Sequence, residues 1–196
     1  MHGQSPKEDL PESPFPAWMA PVLDNVFRRL LLTNPRRKVL ESGVKEGDRV
    51  LELGCGPGFY TEAISNIVGP AGKVYAHDVQ PEMIERVKRK ITEKKLANTV
   101  TVLSSSARIP LETSSIDFIF AANVWEEIDK EVLTKDTINE LARLCGANGR
   151  VFIEDHKFGG TKPIIERVIT LMEENGFSLE LRGETWVSIY AKLRKR

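Results

Sequence analysis

Short apolar runs alternate with longer amphipathic segments along most of the chain. From Arg49 onward, runs rich in Val, Ile, Leu and Phe are each followed by a segment whose apolar residues recur every three or four positions. The runs predict buried strands, and the segments predict helices that cover them. Because strand–helix–strand units join parallel strands with one handedness, the alternation predicts a doubly wound α/β sheet. The predicted strands comprise residues 50–53, 73–78, 100–103, 117–123 and 150–154.

The last part of the chain has a different pattern. Two apolar runs, 177–181 and 186–193, are separated by Arg182, Gly183 and Glu184 with no helical segment between them. Two such runs joined by a glycine-containing turn predict an antiparallel hairpin attached to the parallel sheet.

The first 44 residues predict two further regions. Residues 1–16 contain four prolines among polar residues and predict a flexible arm. Residues 17–44 predict a helical cap, in which an apolar stripe from Val22 to Leu31 precedes a short helix that stops at Gly43. We expect the stripe to pack on the domain formed by residues 45–196. A lid over the substrate and an interfacial helix that binds anionic headgroups through its arginines are the alternatives.

Glycines at every second position follow the first predicted strand, at Gly54, Gly56 and Gly58. Glycines let a backbone approach a ligand closely, and the helix that follows presents free N–H groups. The dinucleotide pattern G-x-G-x-x-G would need its third glycine at Phe59, which argues against NAD. Glu52 at the strand end favours a ligand with an amino or sulfonium group.

These residues resemble motif I, E-x-G-x-G-x-G, of class I S-adenosylmethionine-dependent methyltransferases. The spacing of Asp78 from the glycine loop predicts that its carboxylate binds the two hydroxyls of a ribose, and Val79 would flank the adenine. In the family's G-D-A-x-x-L-P loop, Ser105 stands where the family has an aspartate, so backbone groups would carry more of the adenine contact. The predicted cofactor-binding residues are Glu52, Gly54, Cys55, Gly56, Gly58, Asp78, Val79, Ser105, Ser106, Ala107 and Asn123.

The resemblance implies a Rossmann-like, mostly parallel sheet of seven strands that ends in a hairpin. It also implies methyl transfer from S-adenosylmethionine, in which the protein supplies alignment, water exclusion and, for some acceptors, proton removal. His156 and Glu127 are the candidate proton acceptors, although a histidine or an acid there also suits a capping or solvent-facing role. Tyr60 and Trp125 are candidates for cation–π contact with the sulfonium, and Trp125 is equally a candidate core residue.

The composition limits the classes of partner that the sequence favours. The chain has 28 acidic and 28 basic residues, so its net charge gives no overall attraction to nucleic acid. Two cysteines make a disulfide framework unlikely and favour a reducing cytoplasm, and no apolar run has membrane-spanning length. No metal is expected, because only Glu154 and Asp155 accompany the neutral Asn123 at the strand ends. The preferred acceptor is a small molecule, as in the ubiquinone and menaquinone C-methyltransferases. A lipid-directed enzyme and a non-catalytic cofactor-binding protein are the alternatives.

Overall fold

The computed structural model describes residues 34–129, 132–157 and 161–196, and the predicted arm and apolar stripe therefore lie outside the described residues. Pro35–Arg196 forms one compact unit. None of its described helices is both long and apolar enough to cross a membrane. In chain order the elements are α1 (Pro35–Ser42), β1 (Arg49–Leu53), α2 (Thr61–Val68), β2 (Lys73–Asp78), α3 (Pro81–Lys94), β3 (Thr99–Leu103), β4 (Ile116–Ala122), α4 (Trp125–Ile128), α5 (Val132–Leu144), β5 (Cys145–His156), α6 (Thr161–Glu174), β6 (Phe177–Glu184) and β7 (Ser188–Lys195).

The seven described strands form one sheet in the order β3-β2-β1-β4-β5-β7-β6. The strands β1 to β5 pair in parallel, and β7 pairs antiparallel with both β5 and β6. The doubly wound, mostly parallel sheet with a terminal hairpin is thus confirmed. In such a sheet the carboxyl ends of the parallel strands share one edge, which we call the crevice edge.

Side chains on alternate strand positions build two cores. On the first face, which carries α1, α2 and α3, Val39 packs with Val50 and Ile64. On the second face, which carries α4, α5 and α6, Leu51 and Ile119 belong to the larger core cluster. Burial on both faces explains why the central strands are continuous apolar runs.

The predicted hairpin turn is wrong. The sequence places the hairpin turn at Gly183, but β6 continues through that residue, which pairs with Tyr190. A Cβ at Gly183 would lie 2.4 Å from the Tyr190 ring, so the glycine makes room for an aromatic side chain. The strand β5 begins at Cys145, five residues before the predicted strand 150–154, and its register with β4 shifts between Cys145 and Arg150, where Asn148 has a φ of 61°. A Cβ on Gly149 would lie 2.5 Å from the Cys145 Sγ, so close packing explains this glycine as well.

Candidate functional site

The loop between β1 and α2 lies at the crevice edge, and its backbone conformation depends on its glycines. Gly54, Gly56 and Gly58 have φ values of 66°, 51° and 80°, which side chains with a Cβ rarely adopt. The Cys55 amide donates to the His77 carbonyl of the neighbouring strand at 2.8 Å. The backbone of this loop is therefore fixed against the end of β2.

The three glycines differ in what lies beside them. A Cβ on Gly54 would lie 2.4 Å from Val124 Cγ2, and one on Gly58 would lie 3.2 Å from both Thr61 and Val87. A Cβ on Gly56 would meet nothing within 4 Å. Packing against the protein therefore explains the missing side chain at Gly54 and Gly58, whereas Gly56 borders open space that a ligand can enter.

Asp78, at the end of β2, is joined to this loop. Its Oδ2 accepts from the Gly56 amide at 2.8 Å, and its Oδ1 accepts from the Gln80 amide at 2.9 Å. Each carboxylate oxygen has a second lone pair, so two further hydrogen bonds from a diol remain possible. The next residue, Val79, is 56% exposed and offers apolar surface beside the loop.

Glu52 lies beneath the loop and is almost fully buried. Burial raises its pKa to about 8, against the opposing effects of the hydrogen bond from Thr61 and the charge of Lys90, while the charge of Asp78 adds to the rise. The Thr61 hydroxyl donates to Glu52 Oε2 at 2.6 Å. The ionised form of a buried carboxyl is stabilised when a positively charged group takes the place of the water that it lost on burial.

Lys90 on α3 belongs to a run of lysines and arginines, a pattern typical of a solvated helix face. Its ammonium nevertheless donates to the Gly58 carbonyl and is only partly exposed. A cation from the next helix thus holds the glycine loop from outside, and its spacing within a run of lysines and arginines gave no indication of this contact.

The remaining predicted cofactor residues divide by exposure. The thiol of Cys55 packs with Ala76 and Ile84, and burial raises its pKa, so only its backbone faces the loop. Ser105 is exposed and accepts from the Ala107 amide at 3.2 Å. The hydroxyl of Ser106 is buried against that of Thr137 at 2.8 Å. Their contact with a cofactor stays a prediction.

Asn123 immediately follows β4 at the crevice edge. Its φ is 58°, and its amide donates to the Glu154 carbonyl at 2.9 Å, which fixes the backbone between β4 and α4. Closure of this backbone over the amino acid end of a cofactor stays a prediction.

The predicted catalytic residues lie on separate elements. Tyr60 is 9% exposed, and its ring packs against Phe120 on the first face with centroids 5.0 Å apart. Glu127 is exposed on α4, and His156 is partly exposed at the end of β5. Their roles stay predictions.

Trp125 has the core role that the sequence left open, because it is 1% exposed and belongs to the core of the second face. Asp155, which follows Glu154 in β5, accepts from the Trp125 amide at 3.1 Å and the Glu126 amide at 3.3 Å. Its buried carboxylate therefore fixes the start of α4.

One pair at this edge was missed by sequence reasoning. Lys38 on α1 donates to Glu154 on β5, with Nζ and Oε1 2.6 Å apart and side chains 16% and 5% exposed. The partners are 116 residues apart, so no local pattern could have joined them. Within the described ranges no cluster of His, Cys, Asp and Glu is suited to a metal ion.

Comparison with known proteins agrees with this geometry. A family model described as "Methyltransferase domain" matches residues 50–149, half of the chain. The solved structure of a SAM-dependent methyltransferase from Aquifex aeolicus is 28% identical, with a TM-score of 0.79, and the match covers 93% of this chain and 100% of that one.

Two curated relatives are methyltransferases by name. The protein-L-isoaspartate O-methyltransferase of Methanococcus maripaludis is 28% identical over 144 residues, which cover 70% of this chain and 67% of that protein. The ubiquinone/menaquinone biosynthesis C-methyltransferase UbiE of Ectopseudomonas mendocina is 25% identical over 173 residues, covering 82% and 66% respectively. The match thus spans about two thirds of the length of each curated relative.

Proposed function

The chain belongs to the methyltransferase-domain family of class I S-adenosylmethionine-dependent methyltransferases, and we propose that it transfers a methyl group to a small-molecule acceptor. The observation that carries the proposal is the junction of Gly56 and Asp78. A left-handed glycine beside open space is hydrogen-bonded to an acid at the end of the next strand.

The residues present fit the cofactor. Gly56 leaves room for the methionyl part, Asp78 retains lone pairs for the ribose hydroxyls, and Val79 offers an apolar surface for the adenine. Glu52 lies below the loop, and an ammonium group of the cofactor would stabilise its buried carboxylate electrostatically. When bound, S-adenosylmethionine supplies a methyl group already activated by a sulfonium.

The work left to the chain is alignment and exclusion of water. In-line displacement needs the acceptor atom held behind the methyl carbon, and such positioning alone gives large accelerations. The crevice edge between β4 and β5 is the place for the acceptor, since Asn123 and Glu154 are hydrogen-bonded there beside the glycine loop. His156 and Glu127 are the proton acceptors we propose for an acceptor that must lose a proton.

A small molecule is favoured by two considerations. The UbiE relative is named for quinone biosynthesis, and a second relative from Saccharolobus solfataricus is named as a probable cobalt-precorrin-6B methyltransferase. The balanced charge of this chain offers no overall attraction to nucleic acid.

Transfer of label tests the proposal. The purified protein is incubated with methyl-labelled S-adenosylmethionine and, separately, with the small-molecule, protein and lipid fractions of a cell extract, with heat-inactivated protein as the control. We expect label to enter the small-molecule fraction. Label in protein or in lipid alone would contradict the acceptor class, and label in no fraction despite cofactor binding would mean that the protein binds without catalysis.

A further inference from the structure

A buried glutamate lies at the crevice edge outside the predicted cofactor site. Glu154 on β5 is 4% exposed and stands in register with Ala122, the last residue of β4, and with Tyr190 of β7. It lies on the first face of the sheet, two positions beyond Phe152. A carboxylate is rarely buried this deeply without full pairing.

Only half of this carboxylate is paired. Lys38 contacts Oε1, whereas Oε2 is buried and has no hydrogen-bond partner in the part of the chain that the structure describes. A buried acceptor without a partner costs about 1–3 kcal/mol, so a fold retains one where something else supplies the donor.

Aromatic residues flank Glu154 in the sheet, with Tyr190 opposite it in register and Phe152 two positions before it on the same face. The rings of Tyr60, Phe120, Phe152 and Tyr190 follow one another across the first face with centroids 5.0, 5.4 and 6.1 Å apart. Aromatic rings thus make up much of the first face of the sheet next to Glu154. A hydrogen bond formed there is stronger than one formed in water.

We propose that Glu154 positions the methyl acceptor, with Oε2 accepting a hydrogen bond from an O–H or N–H group of that molecule. The inference rests on the proposed function and specifies the acceptor as a molecule that carries a neutral or cationic hydrogen-bond donor. An anionic head group is excluded, because a carboxylate cannot donate to Oε2 and would be repelled by it. Lys38 holds the other oxygen and so fixes the direction of the free one.

A purely structural role is the competing explanation, in which the ion pair serves only to hold α1 on the sheet. The two explanations differ in ligand selectivity. A structural pair has no preference among head groups, whereas a positioning residue distinguishes a donor from an acceptor on molecules of the same size.

Three probes of one shape make the test. Benzylamine, benzyl alcohol and benzoate are titrated by ligand-observed NMR into the full chain saturated with S-adenosylhomocysteine. We expect the amine and the alcohol to bind at least tenfold more tightly than benzoate. In Glu154→Gln the tenfold preference of the amine should fall below threefold, while S-adenosylhomocysteine affinity is unchanged. Glu180→Gln, which removes an exposed carboxylate of the same sheet, should keep the preference.

Each other result overturns the inference. If benzoate bound the natural chain as tightly as the amine, the inference would be contradicted without any variant. The absence of binding by all three probes would contradict it as well. An unchanged preference in a folded Glu154→Gln protein would do so as well. Failure of the proposed function is a separate observation, because the chain would then not bind S-adenosylhomocysteine in the saturation step.

Discussion

Two glutamates on the same face of the sheet have almost equal burial and opposite partners. Glu52 is 2% exposed and receives a hydrogen bond from a neutral hydroxyl, that of Thr61, whereas Glu154 is 4% exposed and pairs with the ammonium of Lys38. Strand spacing and register place their Cα atoms roughly 12 Å apart. One edge therefore holds two carboxyls with different electrostatic compensation.

This difference means that the two glutamates suit different ligand groups. Glu52 has no ion pair among the described residues, and burial raises its pKa to about 8, so the carboxyl favours a ligand that brings positive charge. At Glu154 the fold provides the charge itself and leaves an oxygen for a hydrogen bond. The first arrangement suits the charged end of a cofactor, and the second suits an acceptor with a donor group.

Removal of Lys38 should have the largest effect on stability and should abolish the difference in charge compensation between the two glutamates. Lys38→Met leaves the Glu154 carboxylate buried without compensation, and we expect the free energy of unfolding to fall by about 3 kcal/mol. Lys38→Met combined with Glu154→Gln should recover most of that loss, because no uncompensated charge remains. Urea unfolding at neutral pH measures both.

The control for this loss is the exposed ion pair Glu85–Lys88 on α3. Lys88→Ala should leave the unfolding midpoint nearly unchanged, since solvent screens such pairs. Equal losses in the single and the double variant would contradict the account of the buried pair.

Removal of the charge at Glu52 has a smaller effect that depends on pH. Because the folded-state pKa is raised above the unfolded value of 4.5, the group's contribution is fully present below pH 4.5 and is lost as the pH rises through about 8. Glu52→Gln should therefore lie close to the natural chain at pH 4.5 and exceed its unfolding free energy by about 2 kcal/mol at pH 6, since each pH unit above 4.5 adds about 1.4 kcal/mol until the pH nears 8.

Urea unfolding across that pH range provides the check on Glu52. Thr61 can still donate to the amide oxygen of the variant, so the hydrogen bond is conserved. A difference between the two proteins that is constant with pH would show that Glu52 is ionised throughout, and the contrast with Glu154 would disappear.

The cofactor half of the fold was predictable because glycine and proline mark its boundaries. The strand ending at Asp78 lies where the sequence places it, and the next helix begins at Pro81, a residue type that is common at the first position of a helix. In each case the local backbone requirement and the apolar pattern agree.

Contacts between elements that are distant in sequence were less predictable. Gly183 is typical of a turn, but it is a glycine in order to accommodate the ring of Tyr190 from the paired strand. Lys38 and Lys90 both belong to basic runs that favour a solvated face, yet one contacts Glu154 and the other the Gly58 carbonyl. Such contacts depend on tertiary packing, which no local periodicity encodes.

The central claim is that the junction of Gly56 and Asp78 holds S-adenosylmethionine. Calorimetric titration with S-adenosylhomocysteine and with NAD, on the natural chain and on Asp78→Ala, tests it most directly. The account predicts one site of micromolar affinity for S-adenosylhomocysteine, at least tenfold weaker binding in the variant, and no binding of NAD. Binding of NAD alone, or equal S-adenosylhomocysteine affinity in both proteins, would contradict it.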